Sequence, residues 1–296
     1  MNRPIGLKEN TKKVKQNHHK APISIRIIQS TIKTLEQVAP KIATFIAFRL
    51  FSTPIRYKMP ERESFAHQTA HKSTLKIGGL PVCIYRWGHP ADPVVLFLHG
   101  WSGRGTQVAG YLGPLLEAGY QVISVDAPAH GQSGGKTTNI LEVAQVVDYL
   151  GRHYPIEAAI GHSFGGVALH YSIRNAILFS KLVTISSPME SDFILMDFIG
   201  KIGGTPSLAQ RIRTFVRDKF SLDFDSVAPM FPHPWPAHPD WLIIHDEDDH
   251  DVPASQAGKA KEHPMGPEIV LTNGLGHYRI LRDEHVIHTI IDWLRR

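Results

Sequence analysis

The chain has 296 residues, 42% apolar and 20% charged, with a formal charge of +5, 24 glycines, 21 prolines and one cysteine. This composition excludes a collagen-like or a disordered chain, and the lone Cys83 excludes an internal disulfide or a cysteine-held metal centre. The longest run without Asp, Glu, Lys or Arg, Ala158 to Ile173, is shorter than the ~20 apolar residues that span a bilayer, so no transmembrane helix is expected and a cytoplasmic location is the simplest.

The charge is uneven: residues 1–75 hold 14 Lys and Arg against 4 Asp and Glu, a net of +10, and the remainder nets −5. Residues 1–20 are polar and basic with no apolar periodicity, so they read as a basic flexible tail. Arg26 and Lys33 interrupt the apolar run that follows, which argues against a secretory leader. Ile25, Ile28, Ile32, Leu35, Ala39, Ile42 and Ile46 recur at helical spacing, with Pro40 expected to break or kink the helix. Ile42 to Phe51 is apolar on nearly every side and calls for burial, or for a lipid interface. Thr53-Pro54 and Met59-Pro60 mark an extended connector. A helical extension and connector thus occupies 21–73. Residues 1–51 offer an anionic membrane a basic, amphipathic partner, which would put the protein at the inner face of a membrane. No nucleic-acid module is recognisable, so no nucleic-acid partner is expected.

After Lys72 short β-rich runs alternate with helical stretches, the pattern of a mostly parallel sheet covered on both faces. Leu75–Ile77 and Val82–Trp87, joined by Gly78-Gly79-Leu80-Pro81, read as a hairpin. Further strands are expected at Val94–Leu98, Gln121–Val125, Ala158–Ile160, Leu182–Ile185, Trp241–Ile244 and Glu268–Leu271. Helices are expected at Gly105–Ala118, Asn139–Tyr154, Gly165–Phe179, Ala254–Glu262 and His285–Arg296, with Asn139 and Glu142 spaced as a capping box. The interval 188–239 lacks strand character and carries helical stretches at Ser191–Lys201 and Ser207–Phe220, as an inserted cap would.

Gly161-His162-Ser163-Phe164-Gly165 falls between an expected strand and an expected helix. A serine on so sharp a turn, with glycines removing the Cβ atoms that would collide, is a candidate nucleophile. A neutral hydroxyl needs a base, and the base a carboxylate, in chain order Ser, acid, His. His277, in Gly274-Leu275-Gly276-His277-Tyr278, follows the last strand and precedes the last helix; His130 and His162 come too early in the chain. Several carboxylates compete in the run His245-Asp246-Glu247-Asp248-Asp249-His250-Asp251. For the oxyanion of a tetrahedral intermediate, the N–H of Phe164 and one from the loop His99-Gly100-Trp101-Ser102-Gly103, assigned to Trp101, are candidate donors. That loop lacks the lysine of a P-loop, so no nucleotide cofactor and no metal are expected. Arg104 reads as an exposed loop residue with the reach to meet a substrate carboxylate.

From Thr74 to Arg296 the chain resembles the α/β-hydrolase family: His99-Gly100-Trp101 is similar to its oxyanion loop, Asp126 to Ser133 to its D-x-P-x-H-G-x-S segment, and Gly161 to Gly165 to its nucleophile elbow. The resemblance implies an α/β fold with a central sheet of about eight strands, a catalytic domain over 74–296 and a helical cap inserted at about 188–239. It selects Asp249, four residues before Pro253, as the acid, with Asp251 second and Asp192 third; Asp246 stands where the family commonly has glycine. It implies a cofactor-independent serine esterase acting on small-molecule esters with small to medium acyl groups, the cluster around Phe193 and Phe198 suggesting a lipophilic pocket. The runners-up are a carbon–carbon bond hydrolase with the same triad and a membrane-associated or partner-binding protein that uses the basic N-terminal helix.

Overall fold

The computed structural model describes residues 22–174, 176, 178–233 and 238–296, and the basic tail expected over 1–20 lies outside them. Eight strands form one sheet: β1 (His71–Ile77), β2 (Leu80–Trp87), β3 (Val94–Leu98), β4 (Gln121–Val125), β5 (Ile156–His162), β6 (Lys181–Ile185), β7 (Asp240–Asp246) and β8 (Glu268–Thr272). Their order is β1-β2-β4-β3-β5-β6-β7-β8, antiparallel for β1/β2 and β2/β4 and parallel for every later pair.

A parallel strand buried on both faces reads as a continuous apolar run, and side-chain alternation divides it between two cores. In β3, Val94, Leu96 and Leu98 join one cluster while Val95 and Phe97 join the other. Trp241 and Ile243 of β7 face the first core, Leu242 and Ile244 the second.

The helices, in chain order, are α1 (Ile23–Val38), α2 (Pro40–Phe51), α3 (Ser64–Thr69), α4 (Ala109–Glu117), α5 (Ile140–His153), α6 (Phe164–Ser172), α7 (Ser191–Lys201), α8 (Pro206–Phe220), α9 (Ser255–Lys259), α10 (Gly276–Arg279) and α11 (Glu284–Leu294). Among them α5, α6 and α9 cover the first core, and α4 and α11 the second. Asn139 caps α5, its side chain accepting from the N–H groups of Leu141 and Glu142. Helices α7 and α8 lie between β6 and β7, on the spans expected for an insertion.

Several expectations are corrected. The β1–β2 turn is tighter than read: Ile77 pairs with Leu80 and Lys76 with Pro81, leaving Gly78 (φ 58°) and Gly79 (φ 86°) alone at the turn. Positive φ at both central residues matches the twist of the flanking strands. Helix α6 ends at Ser172, well before Phe179. A short helical stretch, Glu61 to Thr69, follows the connector without any apolar period to announce it. At Pro40 the helical stripe turns: α2 buries Ala43, Ala47 and Phe48, and leaves Ile42 at the surface.

A third cluster joins α1 and α2 to α7 and α8. Ile32, Ala43, Ala47 and Phe48 pack with Leu195, Ile199, Leu208 and Ile212. Glu36 ties the two together, accepting from the Thr205 N–H (2.9 Å) and hydroxyl (2.7 Å) and pairing with Arg211 (2.7 Å). Among the described residues no helix is long and apolar enough to cross a membrane.

Candidate active site

Ser163 sits at the crossing of β5 into α6 with φ 51° and ψ −120°. That region costs a non-glycine residue about 1–3 kcal/mol and persists only where the surroundings enforce it. The surroundings here are nearly solid. A Cβ on Gly165 would lie 2.2 Å from the Leu98 carbonyl oxygen, one on Gly161 would lie 2.6 Å from the Gly166 Cα, and one on Gly166 would meet the Ser187 hydroxyl. The Ser163 N–H donates to the Ile185 carbonyl at 2.9 Å, and the Ser187 hydroxyl donates to the Ser163 carbonyl at 3.0 Å. The elbow is thus clamped between the ends of β3 and β6, with its hydroxyl facing a cavity of about 950 Å³ that His277, Trp101 and Phe164 also line.

His277 Nδ1 lies 2.8 Å from Asp249 Oδ2, both side chains buried. A carboxylate can only accept, so Nδ1 carries the proton and Nε2 keeps its lone pair. Asp249 Oδ1 accepts from the N–H groups of Asp251 (2.9 Å) and Val252 (2.8 Å). Burial would raise the Asp249 carboxyl; the His277 ring and the Val252 amide outweigh it and hold the group below its ordinary value. Of the competing carboxylates, Asp251 is exposed at the cavity, and Asp192 lies on α7 paired with Arg213 at 2.8 Å, so neither holds the imidazole. Among the described residues no hydrogen bond joins the Ser163 hydroxyl to His277; the two side chains share the cavity.

The N–H groups of Trp101 and Phe164 have no acceptor among the described residues. Phe164 opens α6, where the first N–H groups are orphaned by helix geometry. The two rings meet edge to face at 5.4 Å, and a Cβ on Gly100 would stand 3.1 Å from the Ser163 Cβ, so loop and elbow are in contact. Such a pair of free amides is where negative charge on a bound oxygen finds donors already in place.

The histidines that precede the serine are structural. His99 Nδ1 donates to the Gly100 carbonyl (2.7 Å) and its Nε2 accepts from the Ala127 amide (3.0 Å). His130 Nδ1 donates to Pro128 (3.0 Å) while its Nε2 accepts from the Ser102 amide (3.0 Å). His162 Nε2 donates to the backbone carbonyl of His277 at 2.9 Å, bracing that residue from below. Burial lowers all three, His99 to about 4 and His130 and His162 to about 3, with neighbouring imidazoles adding to the effect on the latter two. Each is a neutral ring at physiological pH.

Asp246 is the residue sequence reasoning passed over. Its Oδ1 accepts from the amides of Gly276 (2.8 Å) and Asp248 (3.0 Å), and its Oδ2 from the Thr272 hydroxyl (2.7 Å) and the Leu275 amide (3.1 Å). Burial pushes this carboxyl up, yet the four donors, Gly276 first, hold it below its ordinary value. It therefore anchors the loop that delivers His277. The only available signal was an acid at a position where glycine is usual.

Arg104 is also corrected: its side chain is 13% exposed, donates to the Tyr57 carbonyl at 2.8 Å and lies 3.8 Å from Glu63. Glu63 in turn accepts from the Thr106 hydroxyl at 2.7 Å. The arginine fastens the connector to the Trp101 loop rather than facing solvent. The connector is pinned further by the Ile55 amide to Ser102 (2.9 Å) and by Arg56 to the carbonyls of Ala129, Ser133 and Gly135.

A sequence model of the alpha/beta hydrolase family matches residues 95–288. The chain is 34% identical over 121 residues to the dihydrolipoyllysine-residue acetyltransferase component of the acetoin cleaving system of Cupriavidus necator, covering 39% of this chain and 30% of that one. It is 28% identical over 117 residues to the uncharacterized hydrolase YugF of Bacillus subtilis, covering 38% and 42%. The chain thus matches less than half the length of either curated relative. Among solved structures it is similar to the Pyrococcus furiosus esterase Pf2001, with a TM-score of 0.59, 20% identity, and coverage of 82% of this chain and 96% of that one. At that identity the likeness concerns the fold.

Proposed function

The chain belongs to the alpha/beta hydrolase family, and on that premise we propose that it is a serine hydrolase that cleaves small-molecule carboxylic esters through an acyl-enzyme. The observation that carries this reading is the buried 2.8 Å hydrogen bond from His277 to Asp249 beside a strained serine on the same cavity. Ser163 Oγ attacks the ester carbonyl carbon, and its proton passes to His277 Nε2. The carbonyl oxygen takes up the electron pair and is held by the Trp101 and Phe164 amides, each donor contributing about 3 kcal/mol. Asp249 keeps the imidazole in its Nδ1–H tautomer and stabilises the imidazolium. Collapse of the intermediate breaks the carbon–oxygen bond, the alcohol leaving with the proton from Nε2. A water then attacks the acyl-enzyme by the same route and releases the carboxylic acid and free Ser163. The catalytic hydrogen bond between serine and imidazole forms as substrate binds, since in unliganded sites such contacts are commonly long.

Ser163→Ala should lower kcat on p-nitrophenyl butyrate by about three orders of magnitude or more and abolish labelling by a fluorophosphonate. A variant that keeps most of the wild-type rate overturns the assignment.

A second reading concerns location. Val38, Ile42 and Phe45 stand on the outer face of α1 and α2 with 73%, 54% and 51% of their surface exposed, and Lys41 and Arg49 flank them. Apolar side chains interleaved with cations suit the interface of an anionic bilayer, which supports peripheral membrane contact through the N-terminal helices.

A further inference from the structure

The cavity beside Ser163 is much larger than a short acyl group requires. Its volume of about 950 Å³ stands near the top of the ~300–1,000 Å³ range of small-molecule sites. Away from the elbow one section of its wall is aromatic, with charged side chains such as Lys58, Arg62, Asp197 and Lys201 lining it elsewhere, and the aromatic rings come from two parts of the chain. Phe198, Phe220 and Phe224 belong to the insertion between β6 and β7, whereas Phe48 and Phe51 belong to α2, which precedes the residues that the family model matches.

The two sets interlock. Phe48 lies 4.9 Å from Phe215 and 5.8 Å from Phe220 between ring centroids; Phe51 lies 5.0 Å from Phe198, edge to face, and 5.9 Å from Phe224. Phe48 and Phe51 are three residues apart, so one face of α2 presents both rings to the insertion. This wall is also held in place at the C-terminal end of the helix. The Ser52 carbonyl accepts from the Thr138 amide at 2.8 Å, and the Ile55 amide donates to the Ser102 hydroxyl at 2.9 Å, one residue beyond the candidate oxyanion donor Trp101. A shift of α2 would therefore be felt at the reacting carbonyl as well as in the pocket.

We infer that α2 is a wall of the acyl pocket, that Phe48 and Phe51 set the length of chain it accepts, and that the substrate is an ester of a fatty acid with about eight or more carbons. The inference deepens the reading of Ser163 as nucleophile and rests on it for its kinetic consequences alone. An acetyl group would leave this aromatic chamber filled with water, whereas each methylene buried in it raises kcat/KM about fourfold. A pocket closed by a segment outside the family's matched region gives this chain a chain-length preference of its own, set by residues that the hydrolase core does not supply.

The first test uses p-nitrophenyl esters from acetyl to hexadecanoyl. The wild-type protein should gain about fourfold in kcat/KM per methylene through at least the octanoyl ester. Phe51→Trp, which fills the chamber, should move the optimum to shorter chains, and Phe51→Leu, which opens it, to longer ones. A profile that peaks at acetyl or butanoyl, or one unchanged by both substitutions, overturns the inference. The second test needs no variant of α2. The native protein is photolysed with a twelve-carbon fatty acid bearing a terminal diazirine, and the labelled peptides are mapped. Labelling on α2 together with α7 or α8 supports the inference; labelling elsewhere with α2 untouched, or no labelling that dodecanoate competes away, overturns it. Labelling of α2 by a protein that hydrolyses no ester would refute the catalytic reading and leave the pocket standing. Hydrolysis with a flat chain-length profile would do the reverse.

Discussion

Replacing Asp246 by Asn isolates the anchor of the histidine loop. The carboxylate accepts four hydrogen bonds, two at each oxygen, from Gly276, Asp248, Thr272 and Leu275. An amide keeps one acceptor oxygen and turns its NH₂ toward two groups that also donate, so at least two bonds are lost. A hydrogen bond to a charged group contributes about 1.5–3 kcal/mol, which puts the loss at about 3–6 kcal/mol, a large share of the ~5–15 kcal/mol that stabilises a typical domain. Gly276 and Leu275 directly precede His277, so the loosened loop also misplaces the imidazole, and a displacement of about 1 Å costs roughly 100-fold in rate. The expected result is a variant with a lower urea midpoint by circular dichroism. Its kcat on p-nitrophenyl octanoate should fall about 100-fold with KM nearly constant, and fluorophosphonate labelling should slow in parallel. Protonation has the same effect as the substitution: the folded-state value is depressed, so the contribution is complete at neutral pH and is lost as pH falls through it, and the variant should lack that part of the acid limb. A variant with wild-type kcat and an unshifted urea midpoint refutes the anchoring role.

Two further outcomes follow from groups already described. His99, His130 and His162 are held neutral by burial, with folded-state values near 4, 3 and 3 against about 6.5 in the unfolded chain; the unfolded state takes up more protons below that value, so stability is complete above it and declines as pH falls. At pH 5 the three cost about 2 kcal/mol each and about 6 kcal/mol together, measurable as a fall in urea midpoint between pH 7.5 and pH 5, and an unchanged midpoint would show that these rings are not held neutral. On the membrane side, the full chain should sediment with phosphatidylserine vesicles at low salt and be released by high salt, while Ile42→Glu with Phe45→Glu should remain in the supernatant; no sedimentation of the wild type at low salt removes that reading.

The sheet was legible because its strands are buried on both faces: Val94–Leu98 is an unbroken apolar run, Gln121–Val125 departs from one only at Gln121 and Ser124, and the ends of both fall where the structure ends them. The serine turn was legible because the steric demand that creates it, glycine at 161 and 165 against backbone and at 166 against the Ser187 and Thr184 side chains, is written in the residues themselves. What stayed hidden depends on contacts between distant parts of the chain. Asp246 looked like one more member of an acidic loop, since its four donors come mostly from residues about 30 positions later. His162 gave no sign that it supports His277 through the backbone, 115 residues away. Glu61–Thr69 carries no apolar stripe because its helical turn is held by single contacts, such as the Trp87 indole N–H on the Ala66 carbonyl. The partner of the N-terminal helices was likewise invisible, because periodicity shows that a face is buried and not what buries it.

The cluster that binds α1 and α2 to α7 and α8 makes the two pairs of helices interdependent. Neither pair of helices keeps its apolar face dry without the other, although the strands from β1 to β6 separate them along the chain, so a change that unseats one pair uncovers the other. Removal of α1 and α2 would leave Leu195, Ile199 and Ile212 as an uncovered apolar patch that some other surface would have to meet.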